Sequence, residues 1–311
     1  MKCYLSFFSG KLIFFNLQKV APPICYDLIL DSKGCSGNIA PIINIDNRLI
    51  LVGIEKKFIK IFSNKNQKNI FNTKCPDKKF NHLFSIQSLP FLFFSSYKNY
   101  IYIWKRKNER NWKIIHKIIS KNNINFISNI LKSNLIITTD INNFGILLWK
   151  IFENKLFFCG KAIIKEKIVG IDGSPYNELF IIRNGKGILK TYTSNGFIIN
   201  NLFEKKKTGH SMDIFIQNSL KFCDSNTFLT GGTSKNLSLW DLRTNEIVQQ
   251  WKGHIGEIKE IDTNLSIFNS GKFLTISRDN YGIIKTWDLR MSGELHSFKI
   301  YSRKISCMKL V

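Results

Sequence analysis

Residues 237–246 read LSLWDLRTNE, and 47 positions further on, residues 284–294 read IKTWDLRMSGE. Each copy alternates apolar and polar side chains, as a half-buried strand does, and ends on Trp-Asp-Leu-Arg. The same strand with an aromatic end recurs upstream as LIFF at Phe15, IKIF at Phe62, IYIW at Trp104, ILLW at Trp149 and LKTY at Tyr192. Counting through to Trp240 and Trp287, the separations are 47, 42, 45, 43, 48 and 47 residues. A period of that size marks a repeated supersecondary unit, and it suits four strands better than a helical pair. The intervals agree. Apolar runs rich in Ile, Phe and Leu are broken by Asn, Gly, Ser and Lys clusters, and long 3.6-periodic segments with caps are lacking.

The totals bound the remaining choices. Of 311 residues, 44% are hydrophobic, enough for a substantial core. Lys and Arg number 46 against 22 Asp and Glu, a formal charge of +24 that favours anionic partners; Lys, Asn, Ile and Phe are inflated together, so codon bias is the competing explanation. The cysteines (Cys3, Cys25, Cys35, Cys75, Cys159, Cys223 and Cys307) form no C-x-x-C pair. Neither they nor the histidines have disulfide-framework or metal-site spacing, so no cofactor is expected and a reducing compartment is. The apolar N-terminus is interrupted by Ser6, Ser9, Gly10 and Lys11, and no small-residue cleavage site follows. No stretch reaches the ~18 apolar residues of a membrane helix, so the expectation is a soluble chain, nuclear or cytoplasmic.

Gly253-His254, then FLTISRD (273–279), then IIKTWD (283–288) resembles the WD-repeat β-propeller family, and Gly209-His210, FLTGGTS (228–234) and LSLWD (237–241) form the preceding copy. The resemblance is specific in these two repeats, whereas the other five match by period and strand pattern alone. It implies an all-β fold: a seven-bladed propeller of four-stranded antiparallel blades forming a single domain over 1–311. It further implies structural roles for His210, Trp240, Asp241, His254, Asp279, Trp287 and Asp288. In the family, the His, a Ser or Thr, an Asp and the Trp ring nitrogen are linked by hydrogen bonds, which His254, Thr275 or Ser277, Asp279 and Trp287 can supply. Asp279 sits two positions earlier than the family's usual Asp, which lengthens the hairpin and leaves that bond unassigned. Ser234 stands at the Asp position of the preceding copy. The chain ends fit a closed ring. CYLSFF and KLIFF read as the second and third strands of a unit lacking its first, and KISCMKLV (304–311) reads as a first strand with nothing after it.

No nucleophile elbow, phosphate loop or carboxylate pair emerges, so the expectation is a non-enzymatic protein-interaction scaffold within a larger complex, with no small-molecule substrate. Its charge fits a nuclear ribonucleoprotein setting such as ribosome assembly or RNA processing. Two alternatives stand beside it. The tandem W-D-x-R boxes resemble those of substrate receptors for cullin-4 ubiquitin ligases, which would make Arg243 and Arg290 partner-binding residues, or each Arg satisfies a neighbouring Asp. The run WKRKNERNWKIIHK (104–117) is a candidate for direct RNA binding, with Lys105, Arg106, Lys107, Arg110 and Lys113 on phosphates and Trp112 stacking on a base; its bland reading is a solvated outer strand.

Overall fold

The structure, a computed structural model, describes residues 2–7, 12–16, 26–28, 39–44, 49–54, 58–63, 69–74, 82–86, 89–108, 111–140, 145–164, 167–185, 187–196, 198–202, 219–263, 274–300 and 305–310. All regular structure among them is β. The first sheet begins with β1 (Lys2–Phe7), β2 (Leu12–Asn16) and β3 (Tyr26–Leu28). The second is β4 (Ile39–Asn44), β5 (Leu49–Ile54), β6 (Phe58–Ser63) and β7 (Asn69–Lys74). The third is β8 (His82–Ser85), β9 (Leu92–Tyr97), β10 (Tyr100–Asn108) and β11 (Asn111–Ile119). The fourth is β12 (Ile124–Ile130), β13 (Leu135–Asp140), β14 (Gly145–Phe152) and β15 (Lys155–Ile163). The fifth is β16 (Ile168–Gly173), β17 (Leu179–Asn184), β18 (Leu189–Thr193) and β19 (Ile198–Leu202). The sixth is β20 (Leu220–Phe222), β21 (Thr227–Thr230), β22 (Asn236–Asp241) and β23 (Glu246–Lys252). The seventh is β24 (Ile258–Thr263), β25 (Leu274–Asp279), β26 (Ile283–Asp288) and β27 (Glu294–Lys299). The last strand, β28 (Ile305–Leu310), returns to pair antiparallel with β1, so the first sheet reads β28-β1-β2-β3.

Every aromatic residue of the sequence period lies on the third strand of its sheet: Phe15, Phe62, Trp104, Trp149, Tyr192, Trp240 and Trp287. The position has a fixed environment. Trp104, Tyr192 and Trp240 lie opposite Phe93, Phe180 and Phe228 on the second strand, with ring planes within 11° of parallel. It also has a fixed backbone signature. In five sheets the register with the fourth strand slips by one residue just before Phe62, Trp104, Tyr192, Trp240 or Trp287. The extra residue is Ile70, Ile115, Ile199, Val248 or Leu295, a bulge in the outer strand.

The chain divides into two compact units: residues Met1–Ile124, Phe152–Leu156 and Ser302–Val311, and residues Asn125–Ile151 and Phe157–Tyr301. Within the first, Leu49, Ile59 and Ile61 of the second sheet pack on Leu83, Phe93, Tyr102, Trp104 and Trp112 of the third. Within the second, each inner sheet is buried on both faces. Phe180 and Ile182 face the fourth sheet, while Ile181 between them faces the sixth. Side chains alternate across a strand, so burying both faces demands an unbroken apolar run, and that is why β17 reads LFIIRN. The leading strands lie side by side: β28 on β4 and β4 on β8 in one unit, β16 on β20 and β20 on β24 in the other.

Side chains reinforce this last contact in the second unit. Ser128 of β12 donates to Asp172 of β16 (3.2 Å) and accepts from the Gly173 N–H. Asp172 in turn accepts from the Phe222 N–H of β20 at 2.8 Å and pairs with Lys221 at 3.3 Å. Thr263 of β24 closes the series by donating to the Phe222 carbonyl at 3.0 Å. One buried carboxylate thus ties three sheets together.

Candidate functional site

His254 lies just before β24, with both ring nitrogens buried and engaged: Nδ1 is 3.2 Å from Asp279 Oδ2, and Nε2 is 2.7 Å from Ser277 Oγ. Ser277 Oγ also accepts the Trp287 indole N–H at 2.7 Å. These contacts fix the proton positions. A carboxylate only accepts, so Nδ1 carries the hydrogen; Nε2 is then the acceptor, and Ser277 donates to it while receiving from Trp287. Burial pushes the His254 pKa down, outweighing the opposing pull of Asp279, which agrees with a neutral ring. Ser277, rather than Thr275, fills the hydroxyl place; Thr275 donates to the Asp262 carbonyl.

Asp279 does reach His254 although it sits early in the hairpin. It also caps the turn, accepting the N–H groups of Tyr281 (3.0 Å) and Ile283 (2.9 Å) on Oδ1 and that of Gly256 (3.3 Å) on Oδ2. Gly256 must approach closely for this, since a β-carbon there would stand 1.9 Å from Asn280 Oδ1. The indole-to-hydroxyl bond proves wider than the two clear repeats suggest. Trp104 donates to Ser95, Trp149 to Thr138 and Trp240 to Thr230, each at 2.9 Å. In all four sheets the hydroxyl lies two positions beyond the residue paired with the Trp. A Ser or Thr 9–11 residues before each Trp was the sequence signal for it. His210 lies outside the described residues.

The two W-D-x-R boxes fold alike. Arg243 donates through Nε and Nη2 to both oxygens of Asp241, and its backbone N–H donates to Asp241 Oδ1. Arg290 repeats this arrangement on Asp288. The hydrogen bonds from Arg243 and Arg290 hold the Asp241 and Asp288 carboxyls below the usual carboxylate range, against a smaller opposing effect of burial. The carboxylates are largely covered, yet the Arg side chains keep 70% and 57% of their exposure. Each box therefore presents a cation in a fixed pose.

On the basic hairpin the structure separates residues that the sequence grouped. Lys105, Lys107 and Lys113 are exposed. Trp112 is not: it is 4% exposed and packs against Phe93 at 5.0 Å, with the Arg106 guanidinium over its ring at 5.9 Å. A base-stacking role for Trp112 is thereby corrected, because period-two alternation turns it toward the core while Lys113 turns outward. Arg110 lies outside the described residues. Among the described residues the Trp112 indole N–H has no acceptor, unlike that of Trp104 in the same cluster. W104F is accordingly expected to cost about 1–2 kcal/mol more than W112F, since it strips Ser95 of its donor while W112F removes an orphan. Urea denaturation of the two variants checks the difference.

Among the described residues no three His, Cys, Asp or Glu groups lie where they could hold a metal ion, and no described helix is long and apolar enough to cross a membrane. Burial, with Asp224 and Asp172 adding to it, raises the Cys223 thiol well above its ordinary range and keeps it a packing residue. The chain matches no known family model and no curated protein.

Proposed function

We propose that the chain is a seven-bladed propeller of the WD-repeat type, one domain over residues 1–311, acting as a non-enzymatic scaffold in a larger assembly. Support for the architecture comes from the common plan of the sheets, the side-by-side leading strands and the pairing of β28 with β1, which is how such a ring would close. The observation that carries the function is the pose of Arg243 and Arg290. Arginines already held by a carboxylate bind a partner without further loss of side-chain freedom, which is how interface anchors gain affinity. Ribonucleoprotein complexes are the setting that the charge of +24 fits.

The same exposed pair favours one second reading, a receptor docking on a cullin-4 ligase adaptor. Affinity purification of the tagged chain, with partners quantified by mass spectrometry, tests both. R243E/R290E is expected to deplete a defined set of partners at least tenfold while leaving the unfolding temperature nearly unchanged, because the arginines are exposed. A ligase adaptor heading that set establishes the receptor reading. Recovery of no partner above background from the unsubstituted chain overturns the scaffold.

A further inference from the structure

We propose that the outer hairpin β10–β11 is a docking surface for an acidic, partly apolar segment of another protein, seated with its carboxylates on lysines and its apolar side chains on isoleucines.

Charge is heavy there, as it is in hairpin 58–74, which carries four Lys against no acid. Residues 100–119 carry six Lys or Arg against one acid, whereas the matching hairpin 236–252 carries two against two and 283–299 three against two. What sets 100–119 apart is the register of its lysines. The lysines are placed at a cost. Lys105 stands directly opposite Lys113 in the ladder, and Lys107 is the extra residue where the register shifts between Arg106 and Asn108. Like charges in cross-strand register repel, and among the described residues no carboxylate pairs with any of the three. A bound anion would turn that repulsion into attraction.

The choice of a protein partner over RNA rests on the isoleucines of the same outer strand: an extended segment laid along β11 would set alternate side chains on its two faces, one facing Lys113 and the other Ile114 and Ile119. Ile114, the bulge residue Ile115 and Ile119 are 38%, 41% and 64% exposed on the same strand. Phosphates would satisfy the lysines and leave this apolar surface wet. Trp112, the side chain assigned to base stacking, is buried. Charge complementarity together with exposed β-branched side chains fits a segment that interleaves Glu or Asp with apolar residues. The surface belongs to one sheet, so this inference does not depend on the scaffold reading or on Arg243 and Arg290.

Fluorescence anisotropy with the full chain tests it, using a labelled 12-residue peptide of alternating Glu and Val, its Gln-for-Glu counterpart and a 20-nucleotide poly(U) RNA. The Glu/Val peptide is expected to bind, and the Gln/Val peptide at least tenfold more weakly. K105Q/K107Q/K113Q should weaken peptide binding at least tenfold, and I115S/I119S at least threefold. Both variants change exposed side chains and should fold normally. The lysine variant should unfold at a slightly higher temperature at low salt, by a margin that shrinks as salt screens the repulsion. Failure of the Glu/Val peptide to bind at low salt, or binding indifferent to the lysines, overturns the proposal. So does RNA binding tighter than peptide binding, with the isoleucine substitutions without effect on the peptide; the hairpin would then be a nucleic-acid surface.

Discussion

A chain ending at residue 304 is expected to be unfolded at 25 °C, although it lacks only seven residues. They include β28 (Ile305–Leu310), which lies antiparallel to β1 with Leu310 opposite Cys3 and Met308 opposite Leu5. Ile305, Met308 and Leu310 are buried, as are Cys3 and Leu5 on the strand they cover. Removing three buried apolar side chains forfeits about 5–9 kcal/mol of burial. The loss of a whole ladder of backbone hydrogen bonds adds to that, and β1 becomes an uncovered edge. Since a domain of this kind is stable by about 5–15 kcal/mol in total, the deficit is close to the whole. Far-ultraviolet circular dichroism and gel filtration of the truncated chain check it. Cooperative unfolding within about 1 kcal/mol of the full chain would show that β28 is dispensable and would remove the main support for a ring closed by the two ends.

D279A is expected to be the most damaging single substitution among the polar residues of the seventh sheet, costing on the order of 5 kcal/mol. Asp279 is fully buried and receives four N–H donors, from His254, Gly256, Tyr281 and Ile283. Alanine orphans all four in a site that water does not reach. D279N should fare little better, because its amide would point a donor at donors. D288A, by contrast, releases an exposed arginine and should cost about 1 kcal/mol or less. The network also predicts a pH dependence. The folded His254 has its pKa lowered by burial, whereas in the unfolded chain it titrates near 6.5. Between the lowered value and 6.5 the unfolded state holds the extra proton, so stability must rise with pH in that window. The contribution is complete above 6.5 and is lost as pH falls toward the folded value. Denaturation curves from pH 5 to 8 should show that slope in the unsubstituted chain and a flatter one in H254Q.

Much of this was legible in the sequence because the repeat is written in chemistry with a fixed place in the sheet. An aromatic residue closing an alternating strand marked the third strand in every unit, including those in which Phe62 or Tyr192 replaces Trp. The pairing of residues 305–310 with β1 was likewise readable, because the N-terminal strands are short of a four-stranded unit by one apolar strand. What failed to show was anything decided across a hairpin. Trp112 stands among cations in the sequence, and only its pairing with Arg106 reveals that it faces inward. Ser95 and Thr138 look like ordinary strand residues until the ladder brings them under Trp104 and Trp149. Asp279 looked displaced when counted along the chain, yet the turn it caps brings it to His254. Gly282, at φ 78°, sits in that turn. Asp172 carried no signal at all, since its partners come from sheets 44 to 50 residues away.

Asp172 also bears on how the second unit comes apart. In repeat architectures the stability of each unit and that of its junction with the next are separable quantities, and the chain frays from whichever sum is smallest. Here one carboxylate holds Ser128, Lys221 and the Phe222 amide together, and Thr263 extends the tie to β24. A sheet cannot then loosen alone without stranding a buried charge shared with its neighbours, so residues 128–263 should open as one cooperative block. Slow amide exchange would spread evenly over four sheets instead of grading from one end to the other.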